Sequence, residues 1–315
     1  MFNEVKNFEY YLELPMEIRA MIIDEMRTDD KCRFMRSSKI CSREVQKSKK
    51  FSYAIQADFR TEDFIHMYIR YGNNEGGFDL HFTHEFGRNF LRYIDLDGRI
   101  HWMLQLLNSG TLLEHAMQHF ELTLQYYQSS IKAIGISGWV FRSQMNKIRI
   151  NVKSFNRLEE LYVQDNVDIV QFVSKARFIL KKLDCTGNQN CQGLANYAEI
   201  YHITDHLIVP HLRLNNHQFR SLSASEVFIH IGELQVEDIQ NFILSWQHGL
   251  LRDNFKRCEW RLDGSNFNDA LLFAILGGKV VYDSLVKTGI TNFKEPWRTA
   301  YLTSSRYYVM RFVTN

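Results

Sequence analysis

Apolar residues recur at helical spacing near the N-terminus of the chain. After Leu14-Pro15 they follow one another three, one and four residues apart, which places them on one side of a helix. Proline is favoured in the first turn of a helix, so Pro15 fits the start of this one. The apolar positions of the predicted helix are Ile18, Met21, Ile22 and Met26.

Two further short helices are predicted before residue 50. Thr28-Asp29-Asp30 ends the first helix and caps a second that carries Phe34 and Met35, and a third helix carries Val45. Three short helices in about 40 residues are too few to bury a core unaided. Their apolar sides are therefore expected to be covered by a partner chain or by the remainder of this chain.

The pattern changes to that of β-strands after residue 50. Residues 51–60 and 64–71 alternate apolar and polar side chains, and the glycine-rich segment 72–77 is predicted to be a loop. From about residue 130, short segments repeat the order leucine, two residues, leucine, one residue, apolar residue. These predicted strands span residues 131–136, 158–163, 180–185, 211–216, 227–231 and 258–262, with a last strand over 307–313.

The spacing of these strands is loosely that of leucine-rich repeats, because each is followed by a turn and a stretch compatible with a helix. The best marked of these helices spans residues 236–246, with Glu237 and Asp238 in its first turn. An irregular repeat array with a curved open sheet is expected, and the exposed face of such a sheet is more often a protein-binding surface than an active site. The apolar face of the helix consists of Ile239, Phe242, Ile243 and Trp246.

Composition and charge restrict the classes of function. The 315 residues include 38 basic and 36 acidic ones, so the net charge of +2 supplies no global field for nucleic acid or an anionic membrane. A local basic run over residues 31–50 is interpreted as a solvated helical face, and nucleic acid is not an expected partner. No apolar run reaches the roughly 18–20 residues of a membrane span, and no signal peptide is recognised. The expected location is cytoplasmic, nuclear or both, with no membrane partner.

Candidate chemistry is sparse. Cys185, Cys191, His202 and His206 come near a two-cysteine, two-histidine zinc pattern, but the first gap is too long and the second too short. His115 and His119 share a helix face without the glutamate that a zincin needs directly after its first histidine. Neither a phosphate-binding loop nor a nucleophile elbow is found. The sequence therefore predicts no catalytic residue, no metal and no cofactor, although the histidine-rich stretch keeps a zinc-dependent or nucleic-acid-binding protein open as a third class.

The N-terminal segment resembles an F-box. The resemblance rests on Leu14-Pro15-Met16-Glu17-Ile18-Arg19, on the following Ile22-Ile23-Asp24-Glu25-Met26, and on Ser38-Lys39-Ile40-Cys41-Ser42-Arg43. It implies an F-box over residues 9–50 that docks onto a Skp adaptor and, through it, a cullin. The adaptor-binding residues that the resemblance implies are Leu14, Pro15, Ile18, Ile22, Ile23, Met26 and Met35.

The remainder, residues 51–315, resembles the F-box-associated domain of the expanded nematode F-box families. Its specific part is the helix 236–246 followed by a strand that ends Trp260-Arg261-Leu262. The two resemblances together imply an α+β protein, in which a small three-helix N-terminal F-box precedes an irregular leucine-rich-repeat-like α/β domain.

The function that these resemblances imply is noncatalytic. The F-box would bind the adaptor, and the C-terminal domain would bind one target protein for ubiquitination, with contact residues that the sequence does not identify. The alternative is a stoichiometric binder that sequesters or neutralises a target, such as a pathogen factor or toxin, with the F-box segment acting as a structural cap.

Overall fold

The structure is a computed structural model, and it describes residues 9–26, 30–31, 34, 37–47, 53–59, 61–71, 76–106, 110–128, 130–138, 155, 157–164, 180–188, 191–231, 236–250, 254–262, 285–291, 299–305 and 309–314. The chain divides into two compact units, one formed by residues 1–135 and 147–158 and the other by residues 136–146 and 159–315. The predicted boundary between residues 50 and 51 lies inside the first unit and stays a prediction.

The first unit begins with three described helices. They are α1 (Glu9–Glu13), α2 (Met16–Glu25) and α3 (Lys39–Lys47), and α2 packs against α3. Pro15 stands at the N-cap of α2 in an extended conformation, as expected for a residue at the entry to a helix. The predicted middle helix falls largely outside the described residues, and Met35 lies outside them altogether.

An antiparallel sheet follows in the first unit. Each strand pairs with the next in the chain, so consecutive strands are neighbours. The predicted strands over residues 51–60 and 64–71 are confirmed with shorter ends, whereas the predicted loop is wrong at its end because the third strand already begins at Gly76. The strands are β1 (Tyr53–Asp58), β2 (Phe64–Tyr71), β3 (Gly76–Glu85), β4 (Arg88–Asp95) and β5 (Ile100–Gln105).

Helix α4 (Leu112–Tyr127) covers one face of this sheet by packing on β1, β2 and β3. Thr111 caps its N-terminus. The Thr111 hydroxyl accepts a hydrogen bond from the Glu114 backbone N–H, and the Glu114 carboxylate accepts one from the Thr111 backbone N–H. Alternate residues of β2 are fully buried, namely Ile65, Met67 and Ile69. The residues between them therefore lie on the face away from α4.

The second unit contains a mixed sheet. Five strands pair in parallel in chain order, and three C-terminal strands continue the sheet in antiparallel pairing from the fifth. The parallel strands are β7 (Glu160–Val163), β8 (Lys182–Asp184), β9 (His206–Val209), β10 (Glu226–Ile231) and β11 (Arg257–Leu262). β14 (Val309–Thr314) pairs with β11, β13 (Thr299–Ser305) with β14, and β12 (Leu285–Thr291) with β13. The preceding strand β6 (Ile131–Ser137) crosses the division between the units.

Five of the six predicted repeat strands are confirmed, and one is wrong. In place of the predicted strand 211–216 the structure has a turn and loop over residues 211–215, and a helix begins at Asn216; the strand in this part of the chain is β9. Pro210 follows β9 directly and has no backbone N–H to continue the hydrogen-bonded ladder. Leu212 and Leu214 are buried although they lie in a loop, which is why their spacing imitates a strand.

The core of the second unit follows the register of the parallel strands. One side chain from each strand lies opposite the corresponding residue of the next, and these residues are buried; they are Leu161, Leu183, Leu207, Val227 and Cys258. The short helix α5 (Asn216–Arg220) and the longer α6 (Val236–Gln247) connect β9 to β10 and β10 to β11. The predicted apolar face of α6 is confirmed, since Ile239, Phe242, Ile243 and Trp246 are buried.

Candidate functional site

One side of α2 is apolar and exposed. The exposed fraction is 36% for Leu14, 43% for Ile18 and 40% for Ile22, and Pro15 is exposed beside them. Because positions four apart lie above one another on a helix, these residues form one surface, here called the α2 apolar surface. The structure thus brings together four of the seven residues that the F-box resemblance implies for adaptor binding.

The remaining three predicted residues lie elsewhere. Ile23 is 1% exposed and belongs to the packed side of α2, so in this structure it is not accessible to a partner. Met26 is half-buried at the C-cap of the helix, and Met35 lies outside the described residues. Met16 and Met21, which are not among the seven predicted adaptor-binding residues, are the most exposed large apolar residues of α2, and Ile40 is exposed on α3.

The opposite side of α2 is held to α3 by a polar network. An Arg19 guanidinium nitrogen lies 3.1 Å from Glu44 Oε1, and the Tyr11 hydroxyl donates to Glu44 Oε2 at 2.8 Å. Burial, followed by this bond to Glu44, raises the pKa of Tyr11 well above its ordinary value. Ser38 caps α3 by accepting the Cys41 backbone N–H at 3.1 Å. The orientation of α2 is therefore set by contacts on one side, which leaves the α2 apolar surface uncovered.

A second candidate surface follows the parallel strands of the second unit. Residues next to the buried ones in each strand are half-exposed or exposed and lie opposite one another. Their charges alternate in part: Lys182 Nζ lies 3.2 Å from Glu160 Oε1, and His206 Nδ1 lies 3.5 Å from Glu226 Oε2. This row, here called the charged row, consists of Glu160, Lys182, His206, Glu226 and Arg257.

A neighbouring row on the same face is less charged. Tyr162, Ile208 and Phe228 are half-buried, and the Tyr162 hydroxyl donates to Glu160 Oε2 at 2.7 Å. Burial, followed by this hydrogen bond, raises the pKa of Tyr162. Side chains of this kind, aromatic and aliphatic beside charges, are typical of protein-binding surfaces. The row, here called the mixed row, consists of Tyr162, Asp184, Ile208, Phe228 and Glu259.

The structure does not assemble the zinc pattern that the sequence analysis weighed. Cys185 and Cys191 are buried, and burial, followed by a hydrogen bond with Cys191, raises the pKa of the Cys185 thiol well above its ordinary value. His202 is exposed, and His206 faces Glu226 instead. None of these four, nor His115 and His119, belongs to a described group of three or more side chains close enough to share an ion.

A different set of histidines does converge, on the first unit. His66 and His81 face each other across β2 and β3 with Asp79 beside them, and this group of possible ligands was not found from the sequence. The alternation of Asp79 and His81 on β3 was a visible signal, but the partner His66 is 13 residues away from Asp79 in the sequence. Only the hairpin register brings the three together.

No described helix has the length and apolar character that a membrane span requires. No family model, curated protein or solved structure matches the chain.

Proposed function

We propose that this chain is the substrate-recognition subunit of a ubiquitin ligase that contains a Skp adaptor and a cullin. In this proposal the segment 9–50 is a three-helix F-box, and residues 51–315 are the domain that binds the target protein, with the leucine-rich-repeat-like strands in the second unit. The chain itself performs no chemistry. It holds a target near the ubiquitin-charged enzyme and so raises the effective concentration of a target lysine.

The observation that carries the proposal is the exposure of the α2 apolar surface. Helix α2 buries Ile23 on its inner side and carries further large apolar residues on its outer side. Its inner side packs through Ile23, while Ile18 and Ile22 remain about two-fifths exposed on its outer side. Contiguous exposed apolar patches typically mark interaction sites. A Skp adaptor that covers Leu14, Pro15, Ile18 and Ile22 would complete the burial.

The exposure of each residue of α2 indicates whether it would contact the adaptor or hold the helix in place. Ile23 would act by holding α2 against its own unit, since it is inaccessible from outside. Met16 and Met21, which are 64% and 65% exposed, would join the adaptor contact because flexible thioether side chains adapt well to a partner surface.

Target binding is assigned to the charged row and the mixed row. Parallel strands repeated in register place equivalent side chains side by side, which allows an extended partner to contact every strand. Tyr162 and Phe228 supply the large rings that anchor interfaces, and the alternating charges would select a partner of complementary pattern.

The experiment is a quantitative binding assay between purified full-length protein and a recombinant Skp adaptor. Wild-type protein is expected to bind, and Ile18→Glu combined with Ile22→Glu is expected to weaken binding at least about tenfold, because buried hot-spot contacts are replaced by unpaired charge. The matched control is Ile100→Glu combined with Leu104→Glu, which introduces the same charge at exposed apolar positions of β5 and should bind as wild type does.

Each other outcome decides against the proposal. Wild-type protein that is folded by circular dichroism and does not bind the adaptor would leave α2 as a structural cap, and would favour a stoichiometric binder that acts without ubiquitination. Equal loss of binding in the α2 and β5 variants would show that the loss is not specific to the α2 apolar surface.

A further inference from the structure

Two imidazoles and a carboxylate meet on the face of the first unit's sheet that points away from α4. His66 on β2 and His81 on β3 are directly opposite each other in the antiparallel register, and their Nε2 atoms lie 2.9 Å apart. The Oδ2 atom of Asp79, which lies on the same side of β3, is 3.1 Å from His66 Nε2. One nitrogen or oxygen from each side chain therefore points to the same small region.

The distances between the donor atoms are close to those that a metal ion would require. All three donor atoms lie within 4.8 Å of one another. Zinc binds nitrogen and oxygen at about 2.0–2.2 Å, so that tetrahedral ligand atoms are separated by about 3.3 Å. The two short separations would have to widen by only a few tenths of an ångström. A metal ion would replace the hydrogen bond between the two Nε2 atoms and would accept a lone pair from each of them.

Surrounding groups hold the three side chains in place. Arg70 binds Asp79 Oδ1 at 2.5 Å and also donates to the backbone carbonyl of Phe78 at 3.1 Å, which directs the other carboxylate oxygen toward the imidazoles. The ring of Tyr68 lies 3.7 Å from that of His66, and the ring of Phe64 contacts His81 edge-on at 5.1 Å. Fixed orientation of the ligands by outer groups is a regular property of metal sites.

The site is shielded but reachable. The side chains of His66 and Asp79 are 16% and 17% exposed, so an ion has a path from solvent. Burial lowers the pKa of both His66 and His81, with Asp79 opposing this effect at both imidazoles. Charged groups also act on the imidazoles from both neighbouring strands, Asp58 on His66 from β1 and Arg92 on His81 from β4. Neutral imidazole is the form that binds metal.

We propose that His66, Asp79 and His81 form a binding site for one divalent transition-metal ion, of which Zn²⁺ is the test case. Two imidazoles with one carboxylate favour zinc, nickel and copper ions over magnesium and calcium, which prefer sites made of oxygen atoms. Three protein ligands leave one tetrahedral position for water or for an atom of a bound molecule. The site belongs to the first unit and does not depend on the ubiquitin-ligase proposal.

The test is a titration of metal-free, full-length protein with Zn²⁺ by isothermal calorimetry, with Mg²⁺ as the comparison ion. One Zn²⁺ per chain is expected at this site, reversed by a chelator, with no binding of Mg²⁺. His66→Gln, His81→Gln and Asp79→Asn should each weaken Zn²⁺ binding by more than about tenfold. This lower bound is the loss of metal affinity typical when a residue that only orients a ligand is replaced. The matched control is His101→Gln, which removes an exposed imidazole that pairs with Asp95 in the same unit and should leave affinity unchanged.

A second measurement uses only wild-type protein, so it tests the proposal even if the variants fail to fold. In the wild-type protein, bound Zn²⁺ should protect His66 and His81 from modification by diethylpyrocarbonate, as mapped by mass spectrometry, and leave His101 reactive. Folded wild-type protein that binds no Zn²⁺, or that binds it with His66 and His81 equally reactive, would overturn the proposal. Loss of binding in His101→Gln together with the ligand variants would do so as well.

Discussion

Glu160 and Lys182 are direct partners on the parallel strands β7 and β8, and Lys182 Nζ lies 3.2 Å from Glu160 Oε1. Directly beneath them on the other face, Leu161 and Leu183 are partners in the same register and are buried. One register therefore produces both a packed core and a row of charges. These two sides of the sheet are expected to respond very differently to substitution.

The Glu160–Lys182 pair should contribute little to stability. Both side chains are partly exposed, at 20% and 34%, so water screens their attraction and the coupling energy in a cycle of Glu160→Gln and Lys182→Gln is expected to be about 0.2–1 kcal/mol. Urea unfolding followed by tryptophan fluorescence measures it, since Trp246 and Trp260 lie in the same unit. Coupling of several kcal/mol, unchanged by salt, would contradict this account. If it holds, the charged row can be altered to test target binding without unfolding the protein.

The aromatic cluster at β14 should contribute far more to stability than the Glu160–Lys182 pair does. Phe312 is fully buried, and its ring lies 5.3 Å from that of Trp246 and 5.8 Å from that of Phe242. Phe312→Ala is expected to lower the free energy of unfolding by about 3–5 kcal/mol through lost burial and the cavity left behind. The neighbouring Val313 is 37% exposed, and Val313→Ala should change the free energy of unfolding by no more than about 0.5 kcal/mol. Similar losses in both variants would show that β14 is not packed as described.

Stability should fall at alkaline pH through Tyr11. Burial and the bond to Glu44 raise the pKa of Tyr11 in the folded protein above its ordinary value of 10.0. Above about pH 10 the unfolded chain therefore releases this proton while the folded chain retains it, so stability is lost as pH rises. The stability advantage of wild type over Tyr11→Phe is expected to shrink between about pH 9 and pH 11. A difference that does not vary with pH would contradict a raised pKa at this hydroxyl.

The cap of α4 offers a local test. Thr111→Ala removes the side chain that accepts from Glu114, and the loss is expected to be about 1 kcal/mol, with faster hydrogen exchange in the first turn. Thr123 is the matched control, because its hydroxyl donates to the His119 carbonyl within the helix and contributes little to helix stability. Thr123→Ala should leave the exchange of the first turn unchanged. Equal effects of the two variants would rule out a specific cap.

Local periodicity predicted much of the fold. The α2 and α6 helices, the alternation in β2 and most repeat strands could be derived from apolar spacing, because burial of one face imposes that spacing wherever the element lies. The error at residues 211–216 shows the limit. Leu212 and Leu214 are buried from a loop, so that their spacing satisfied the pattern without a strand.

The candidate sites were predictable to different degrees. Most residues of the α2 apolar surface could be predicted because they lie on consecutive turns of one helix. A pattern confined to neighbouring residues can be recognised before the structure is known. Ile23 is the exception, because only the packing of α2 against its own unit decides which apolar side is covered. The second unit's charged row depends on which residues of separate strands face each other, and that depends on register.

The sequence by itself determined an α+β chain with an N-terminal amphipathic helical segment, repeated short strands and no recognisable catalytic motif. Only the tertiary structure decided that Ile18 and Ile22 are exposed while Ile23 is buried, and that His66, Asp79 and His81 share one face. The physical reason is that helical and strand spacing is a property of neighbouring residues, whereas exposure and convergence depend on register and packing between segments far apart in the chain.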